Sequence, residues 1–342
     1  MHRKRLISLT VAALIASMTA ATAIAVAAGS LTGAGSTLVA PLMAQWTSDF
    51  QHRTGVSVTY GPVGSGTGIA DITSRSVDFG ASDAPLTQSQ ASACNGCVQI
   101  PWGLTATAVA INVNGLRSIH LTGQVVAKIY LGQITNWNSP QIKKLNKHTN
   151  LPSLPITVVY RSDGSGDTYA FTNFLSKESS TWASRVGFAT TVSFPTVPNG
   201  TGGKGNSGVT AIVSSTNGAI GYIAASYLIG RNLGVAALQN AAGNYEFPNF
   251  ANIEAAGQTV TRVPNNNELH IVDPPSSASK AYPLSTFTYA IVPKASSSAS
   301  LLTQFIKYAL TTGQSFGPAL DFAPLPKVVV KAAQKTANSL HS

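Results

Sequence analysis

The sequence predicts an α/β protein of two domains, the first of them assembled from both ends of the chain. Short β-branched runs alternate with segments of helical apolar spacing along most of its length. Two extended apolar runs, "QIPWGLTATAVAIN" (Gln99–Asn112) and "YPLSTFTYAIVP" (Tyr282–Pro293), are long enough to leave one domain and enter the other. Beyond an N-terminal leader, roughly 315 residues remain, enough for two domains of ordinary size. The expected division is 1–28 leader, 29–109 with 286–342 as the first lobe, and 110–285 as the second.

The leader opens on His2, Arg3, Lys4 and Arg5, followed by an apolar run from Leu6 to Ala28. Ala25-Val26-Ala27-Ala28 offers a small-residue cleavage site, so the expectation is a signal peptide. The run is also long enough to span a bilayer as a retained anchor. No Cys stands there to carry a lipid.

Leu31–Ala34 reads as a strand, and Leu42, Trp46 and Phe50, four apart, as one face of a helix. Gly55–Tyr60 alternates as a strand and enters "GPVGSGTGIADI", a glycine-rich turn opening a second helix. Val77–Gly80 is a strand ending in "ASDAPL". After the first long run come short helices and strands, then the strand Ile156–Tyr160 and a helix marked by Phe171, Phe174 and Leu175. Thr196–Gly208, "TVPNGTGGKGNSG", reads as a flexible surface loop at a cleft rim. Asn217–Ile223 is a turn and strand, and "VPNNNELHIVDPPSSASK" is polar and turn-rich. Leu301/Leu302, Phe305/Ile306 and Ala309/Leu310 make the apolar stripe of a late helix.

Charge is sparse: only 10% of residues are Asp, Glu, Lys or Arg. Without the leader's three basic side chains, nineteen Lys and Arg face twelve acids, a net +7, but they are scattered. No dense basic block marks a nucleic-acid partner. An acid-poor exterior of Ser, Thr, Asn and Gln suits an exported protein, and one living at low pH. The two cysteines, Cys94 and Cys97, flank Asn-Gly. Outside the cell that spacing reads as a small disulfide-closed loop, since no His pair stands nearby to complete a zinc site. The six His are dispersed, so no metal site, cofactor or catalytic group is expected.

Against this sparse background one loop gathers Arg161, Asp163 and Asp167 around glycines, in "VVYRSDGSGDTYAFTNFL". It lies between a strand and a helix, where backbone N–H groups lack intrahelical partners and the dipole's positive end sits. Three further turns share this chemistry: "AGSTL", "VGSGTG" and "GASDAPL". Together they supply hydroxyls at Ser36, Thr37, Ser65 and Ser165, and three of the four precede a helix. A single glycine turn is an ordinary cap. Four of one kind, split between the domains, point to a bound anion. "DGSGD" is not a nucleophile elbow, and "VGSGTG" lacks the Gly-Lys-Ser/Thr ending of a nucleotide phosphate loop.

"GAGSTLVAP", "VGSGTG", "VDFGASDAPL" and "RSDGSGDTYAFT", in this order, resemble the phosphate-binding protein of bacterial phosphate ABC import transporters. "IYLGQITNWN", "NGAIGYI" and "TYAIVP" extend the resemblance over essentially the whole mature chain. It implies the two-lobed type II periplasmic binding protein fold, with lobes joined by two crossing strands. It further implies a monomeric, non-enzymatic receptor that delivers inorganic phosphate to a membrane permease with an ATPase, in the periplasm or at the outer face of the membrane. By position, Thr37 and the Leu38 amide would cap the anion and Ser65 would donate to it. Asp83 would accept the phosphate's own proton, Arg161 would give charged bonds, and Ser165 with the Gly166 amide would complete the other lobe. Many relatives have Phe at the Leu38 position. Asp167 stands where most have Thr and some have Asp, so its contact does not transfer directly.

Two roles are open for Asp167: turned away as a helix-terminal charge, or facing the ligand beside Asp83. Asp163 is expected to hold Arg161 or cap the turn. Asp83 argues for phosphate over sulfate, which has no proton to give a carboxylate at neutral pH. Arsenate carries phosphate's proton pattern and should be rejected less. The alternatives are a receptor for another oxyanion, a secreted phosphatase on the same fold, and an adhesive or matrix protein that retains it.

Overall fold

In a computed structural model of the chain, the described residues are Gly29–Ser342, so the signal-peptide and anchor readings of Met1–Ala28 lie outside them. The strands are β1 (Ser30–Gly35), β2 (Ser57–Gly61), β3 (Phe79–Ser82), β4 (Cys97–Asn112), β5 (Ser118–Leu121), β6 (Thr157–Arg161), β7 (Thr201–Gly203), β8 (Ala219–Ala224), β9 (Gly234–Gln239), β10 (Tyr245–Glu246) and β11 (Ser285–Pro293). Helices α1 (Ala40–Thr54), α2 (Ser65–Thr73), α3 (Gln88–Ala93), α4 (Gly123–Tyr130), α5 (Pro140–Leu145), α6 (Gly166–Glu178), α7 (Ser180–Arg185), α8 (Gly205–Ser215), α9 (Phe250–Gly257), α10 (Ala299–Ala309) and α11 (Lys327–Ala337) pack around them.

Two sheets share one strand. The first runs β2-β1-β3-β11-β4, and the second runs β4-β8-β6-β7 with β9, β5 and β10 attached. β4 pairs with β11 from Cys97 to Ala106, then with β8 from Thr107 to Asn112. The chain returns through Leu284, whose carbonyl accepts from the Thr107 amide, and enters β11 at Ser285. The mixed α/β architecture and the crossing by β4 are those the sequence predicts.

In the first sheet β1 runs parallel to β2 and β3, and in the second β6 runs parallel to β7 and β8. Parallel neighbours require crossover helices. Here α1 follows β1, α2 follows β2, α6 follows β6 and α8 follows β7. Each helix therefore starts at the C-terminal edge of its sheet, where ligands bind in such folds. Hydrogen bonds between these starts, given below, bring the two edges together.

The expected apolar spacings become core. Leu42, Met43, Trp46 and Phe50 are the buried face of α1, and Gly55, at φ 75°, closes the helix in the left-handed conformation. Trp46 and Trp102 meet edge to face in the first half. Tyr130, Phe171 and Tyr222 cluster in the second. Cys94 and Cys97 are bonded, with Asn95 and Gly96 both at positive φ in the turn between them.

One expectation fails. The glycine-rich stretch Thr196–Gly208 is not one flexible loop: Thr201–Gly203 is an edge strand on β6, and α8 begins at Gly205. A Cβ on Gly203 would meet the Val209 amide nitrogen at 2.6 Å, so this glycine permits close strand–helix packing. Three residues of strand carry no periodicity that a sequence reading can detect.

Part of the turn-rich region docks on the first sheet. Asn267 donates to the Gln99 carbonyl and to Thr336, and the Tyr289 hydroxyl bonds the amide and carbonyl of Leu269.

Candidate functional site

All eight residues expected at the anion site stand where the two edges meet. Arg161 is the last residue of β6, is 5% exposed, and lies among carboxylates. Its Nε donates to Asp163 Oδ1 at 2.7 Å and its Nη2 to Asp163 Oδ2 at 2.5 Å. Its Nη1 donates to Asp167 Oδ2 at 3.1 Å. A guanidinium has five N–H donors, so these bonds leave two for a ligand. Asp163 also accepts from the Gly205 amide at 2.9 Å, tying the Arg161 turn to the start of α8. Burial alone would raise the Asp163 carboxyl, but Arg161 and that amide outweigh it and hold the group below its ordinary range. Burial would likewise lower the Arg161 guanidinium, and its acidic partners reverse the shift. The expected structural role of Asp163 is what the geometry shows.

Asp167, in the first turn of α6, is fully buried and its carboxylate turns inward. Oδ1 accepts from the Thr107 hydroxyl at 2.8 Å, and Oδ2 accepts from Arg161 and from Asn206 Nδ2 at 2.7 Å. Burial, the largest influence, pushes its carboxyl up, and Arg161, Thr107 and Asn206 oppose the push. The outward helix-terminal role is thereby excluded.

The opposite wall comes from β1, α2 and β3, and its side chains are short. Ser36 donates to both oxygens of Asp83, at 2.7 and 2.6 Å, and its Oγ accepts from the amides of Leu38 and Val39. Asp83 follows the end of β3 and is 2% exposed. Burial and the nearby Asp167 carboxylate raise its pKa to about 7, against the pull of Ser36, Thr288 and Arg161. Ser65 Oγ donates to Asp83 and accepts from the Gly166 amide across the cleft at 3.1 Å. A Cβ on Gly166 would lie 2.4 Å from the Asp83 Cβ, so only glycine lets the walls approach this closely. Ser165 caps α6, its Oγ accepting from Thr168 at 3.4 Å.

Several contributing residues escape the sequence reading. Asn206 Nδ2 donates to Thr37 Oγ1 at 2.9 Å as well as to Asp167, and the Asn206 amide reaches the same Thr37 oxygen at 3.1 Å. Thr107 sits mid-strand in β4, and the Tyr222 hydroxyl accepts from the Arg161 amide at 3.0 Å. Asn206 lies inside the stretch misread as a loop. Its available signal was the run Val209, Ile212, Val213, whose helical spacing places a helix start just before it.

A cleft of about 240 Å³ opens beside these groups, lined by Thr37, Asp163, Lys204 and Tyr227 among others. A larger cavity of about 630 Å³ is walled by Pro85, Tyr169, Phe188, Leu269 and Ile271. Its lining is mostly apolar, so we place the polar chemistry at the smaller cleft. Among the described residues no group of three His, Cys, Asp or Glu could hold a metal ion. None of their helices is long and apolar enough to cross a membrane. The arrangement combines fixed hydroxyl and amide donors, two guanidinium N–H groups, and one carboxyl that changes charge near neutrality. Such a set can wrap a small, dehydrated, partly protonated oxyanion.

Residues 20–312 match a PBP superfamily domain. The phosphate-binding protein PstS of Xylella fastidiosa strain Temecula1 is 35% identical over 306 residues, covering 88% of this chain and 83% of that protein. PstS of Pasteurella multocida strain Pm70 is 34% identical over 328 residues, covering 94% of each. Among solved structures, a phosphate-binding protein from Stenotrophomonas maltophilia matches with a TM-score of 0.70 at 20% identity, over 90% of this chain and 93% of that one. The last likeness is one of fold.

Proposed function

The chain belongs to the family of PstS phosphate-binding proteins within the PBP superfamily, and from that premise we propose that it is an extracytoplasmic phosphate receptor. It takes inorganic phosphate between its two halves and passes it to a membrane permease driven by an ATPase. It works as a monomer and carries out no covalent chemistry. The observation that carries this reading is Arg161: a buried guanidinium with two N–H groups uncommitted, near enough to Asp83 for its charge to be felt there.

In this proposal Thr37, Ser65 and Ser165 donate hydroxyl protons, and Leu38 and Gly166 donate amides. Arg161 supplies the charge, Asp83 accepts a phosphate proton, and Asp167 adds a second acceptor. Ligand entry exchanges the Ser36–Leu38 and Ser65–Gly166 bonds for bonds to the anion.

The lobes divide where β4 changes partners, between Ala106 and Thr107. Sequence reading assigned all of 110–285 to the second lobe. The contacts of Asn267 with β4 and of Leu269 with β11 favour the stretch around 265–271 moving with the first. Calorimetry with phosphate, arsenate and sulfate tests the function. Phosphate binding with strong rejection of sulfate is expected, and equal affinity for sulfate would sink the phosphate reading. Hydrolysis of a phosphate ester by the pure protein would sink the non-enzymatic one.

A further inference from the structure

We propose that Asn206 is a closure latch that also fixes the direction of the Thr37 hydroxyl, making Thr37 a donor to the bound anion. The proposal rests on the phosphate-receptor reading above.

Asn206 is fully buried at the start of α8, in the half that carries Arg161. Its amide orientation follows from its partners: Oδ1 accepts from the Ala224 amide at 2.7 Å, so Nδ2 must face the other way. The two Nδ2 protons then go to two acceptors, Thr37 Oγ1 in the first half and Asp167 Oδ2 in the second. The Asn206 backbone amide gives Thr37 Oγ1 a second proton.

A hydroxyl has two acceptor sites and one proton. With both acceptor sites filled by Asn206, Thr37 can only donate with what remains. An anion has only acceptor oxygens to offer, apart from its own proton, so the site presets the polarity the ligand needs. The same side chain supplies one of the three donors on Asp167, beside Arg161 and Thr107. One residue thus prepares a neutral donor on one wall and an acidic group on the other.

The bonds to Thr37 exist only while the walls touch. A residue that acts there slows opening, and so governs dissociation, while the open protein meets phosphate at its usual rate. Asn206 is a positioning residue in this scheme, acting through Thr37 and Asp167.

The test measures phosphate association and dissociation by stopped flow with the full-length protein. Asn206→Asp is the sharp variant, since it can still accept from Ala224 but cannot donate, and it faces Asp167 with a like charge. We expect dissociation to quicken roughly a hundredfold in Asn206→Asp and roughly tenfold in Asn206→Ala, with association changed less than about threefold. Thr37→Val should quicken dissociation similarly, Thr37→Ser should restore it, and Thr37→Val with Asn206→Ala should exceed neither single change by much. Thermal unfolding of each variant checks folding. If Asn206→Asp does not fold, the alanine and Thr37 variants decide alone. Where wild type binds phosphate, dissociation left unchanged in the variants, a loss carried by association, or additive effects would each overturn the latch. A wild type that does not bind phosphate overturns both readings.

Discussion

The two walls of the cleft solve different problems with different residues. The wall of Ser36, Ser65 and Asp83 holds no cation, and its one carboxyl titrates near 7 because burial and Asp167 push it there. The wall of Arg161, Asp163 and Asp167 is an ion cluster in which two carboxylates share one guanidinium, so the cation is fully countered. Burying a charge without partners is costly, so the cation must arrive with its own acids. Partnered in this way, the guanidinium contributes directed N–H groups rather than net charge. On the proposed function, selection by proton count belongs to the first wall, and directed guanidinium hydrogen bonds to the anion belong to the second.

The largest effect should follow Arg161→Ala. Charge-assisted bonds are worth about 1.5–3 kcal/mol each, so losing two should weaken phosphate binding by about a hundredfold to ten-thousandfold. The change also strands Asp163 and Asp167, and an uncompensated buried charge costs about 3–5 kcal/mol of stability. Calorimetry and thermal unfolding should therefore move together. Arg161→Lys should recover only part of the affinity, because an ammonium lacks the planar fork that spans two acids. Normal binding by Arg161→Ala would place the site elsewhere.

Next comes the first wall's selectivity. Asp83→Asn replaces an acceptor-only group with one that can donate, so the ratio of sulfate to phosphate Kd should collapse from on the order of ten thousand towards unity. Wild type offers the same experiment through pH. Because the folded pKa is raised from 3.8 to about 7, Asp83 is an acceptor above that pH and carries a proton below it. A protonated carboxyl can donate to sulfate. Discrimination should thus be high at pH 8.5 and fall as pH drops through 7. Stability carries the same sign: between about pH 4 and 7 the folded protein holds a proton that the unfolded chain releases. Asp83's contribution is therefore present at low pH and lost as pH rises through 7, and the melting temperature of the protein without phosphate should fall from pH 5 to 8. A flat sulfate ratio over this range would show that Asp83 does not face the ligand.

These residues also show where sequence reading reaches. Ser36, Ser65, Arg161 and Ser165 were legible because a glycine turn opening a helix has a local chemistry, visible in a few consecutive residues. Thr107 and Asn206 were not. A Thr inside an apolar strand and an Asn among glycines gain a role only when distant segments meet, here Thr107 with Asp167 and Asn206 with Thr37. Asp167 lay between these cases. Its place in the first turn left an outward helix-terminal charge and a ligand-facing role both open, and the packing of β4 and α8 against it shows the inward turn. β4 was readable as a crossing strand by length alone, whereas β7 was too short to leave a pattern.

A smaller effect tests how tightly the walls must meet. Gly166→Ala would set a Cβ 2.4 Å from the Asp83 Cβ, and neither backbone can yield without opening the cleft. Overpacking of this kind costs about 1–3 kcal/mol, so phosphate affinity should fall roughly tenfold to a hundredfold with the fold intact. Small-angle scattering should show less compaction on adding phosphate than in wild type. Full compaction with full affinity would mean that the walls stay further apart when phosphate is bound.

The smallest expected effect concerns Asp167, and it asks whether the second wall also reads protons. Three donors on its carboxylate favour the ionised form while burial opposes it. An ionised Asp167 beside Asp83 repels an anion unless the anion brings protons for both. Affinity should then strengthen as pH falls from about 8 to 6, because the required protons arrive either on Asp83, near 7, or on the phosphate, whose second ionisation lies near 6 to 7 (phosphoesters lose theirs near 6). Asp167→Thr removes one repelling charge and adds a hydroxyl that can donate. It should raise affinity at pH 8 more than at pH 6, flattening the profile by a factor of about three to ten. If the two profiles keep the same shape, Arg161 already cancels the Asp167 charge as seen by the ligand. Asp167 then serves to orient the guanidinium, and proton reading stays with Asp83 alone.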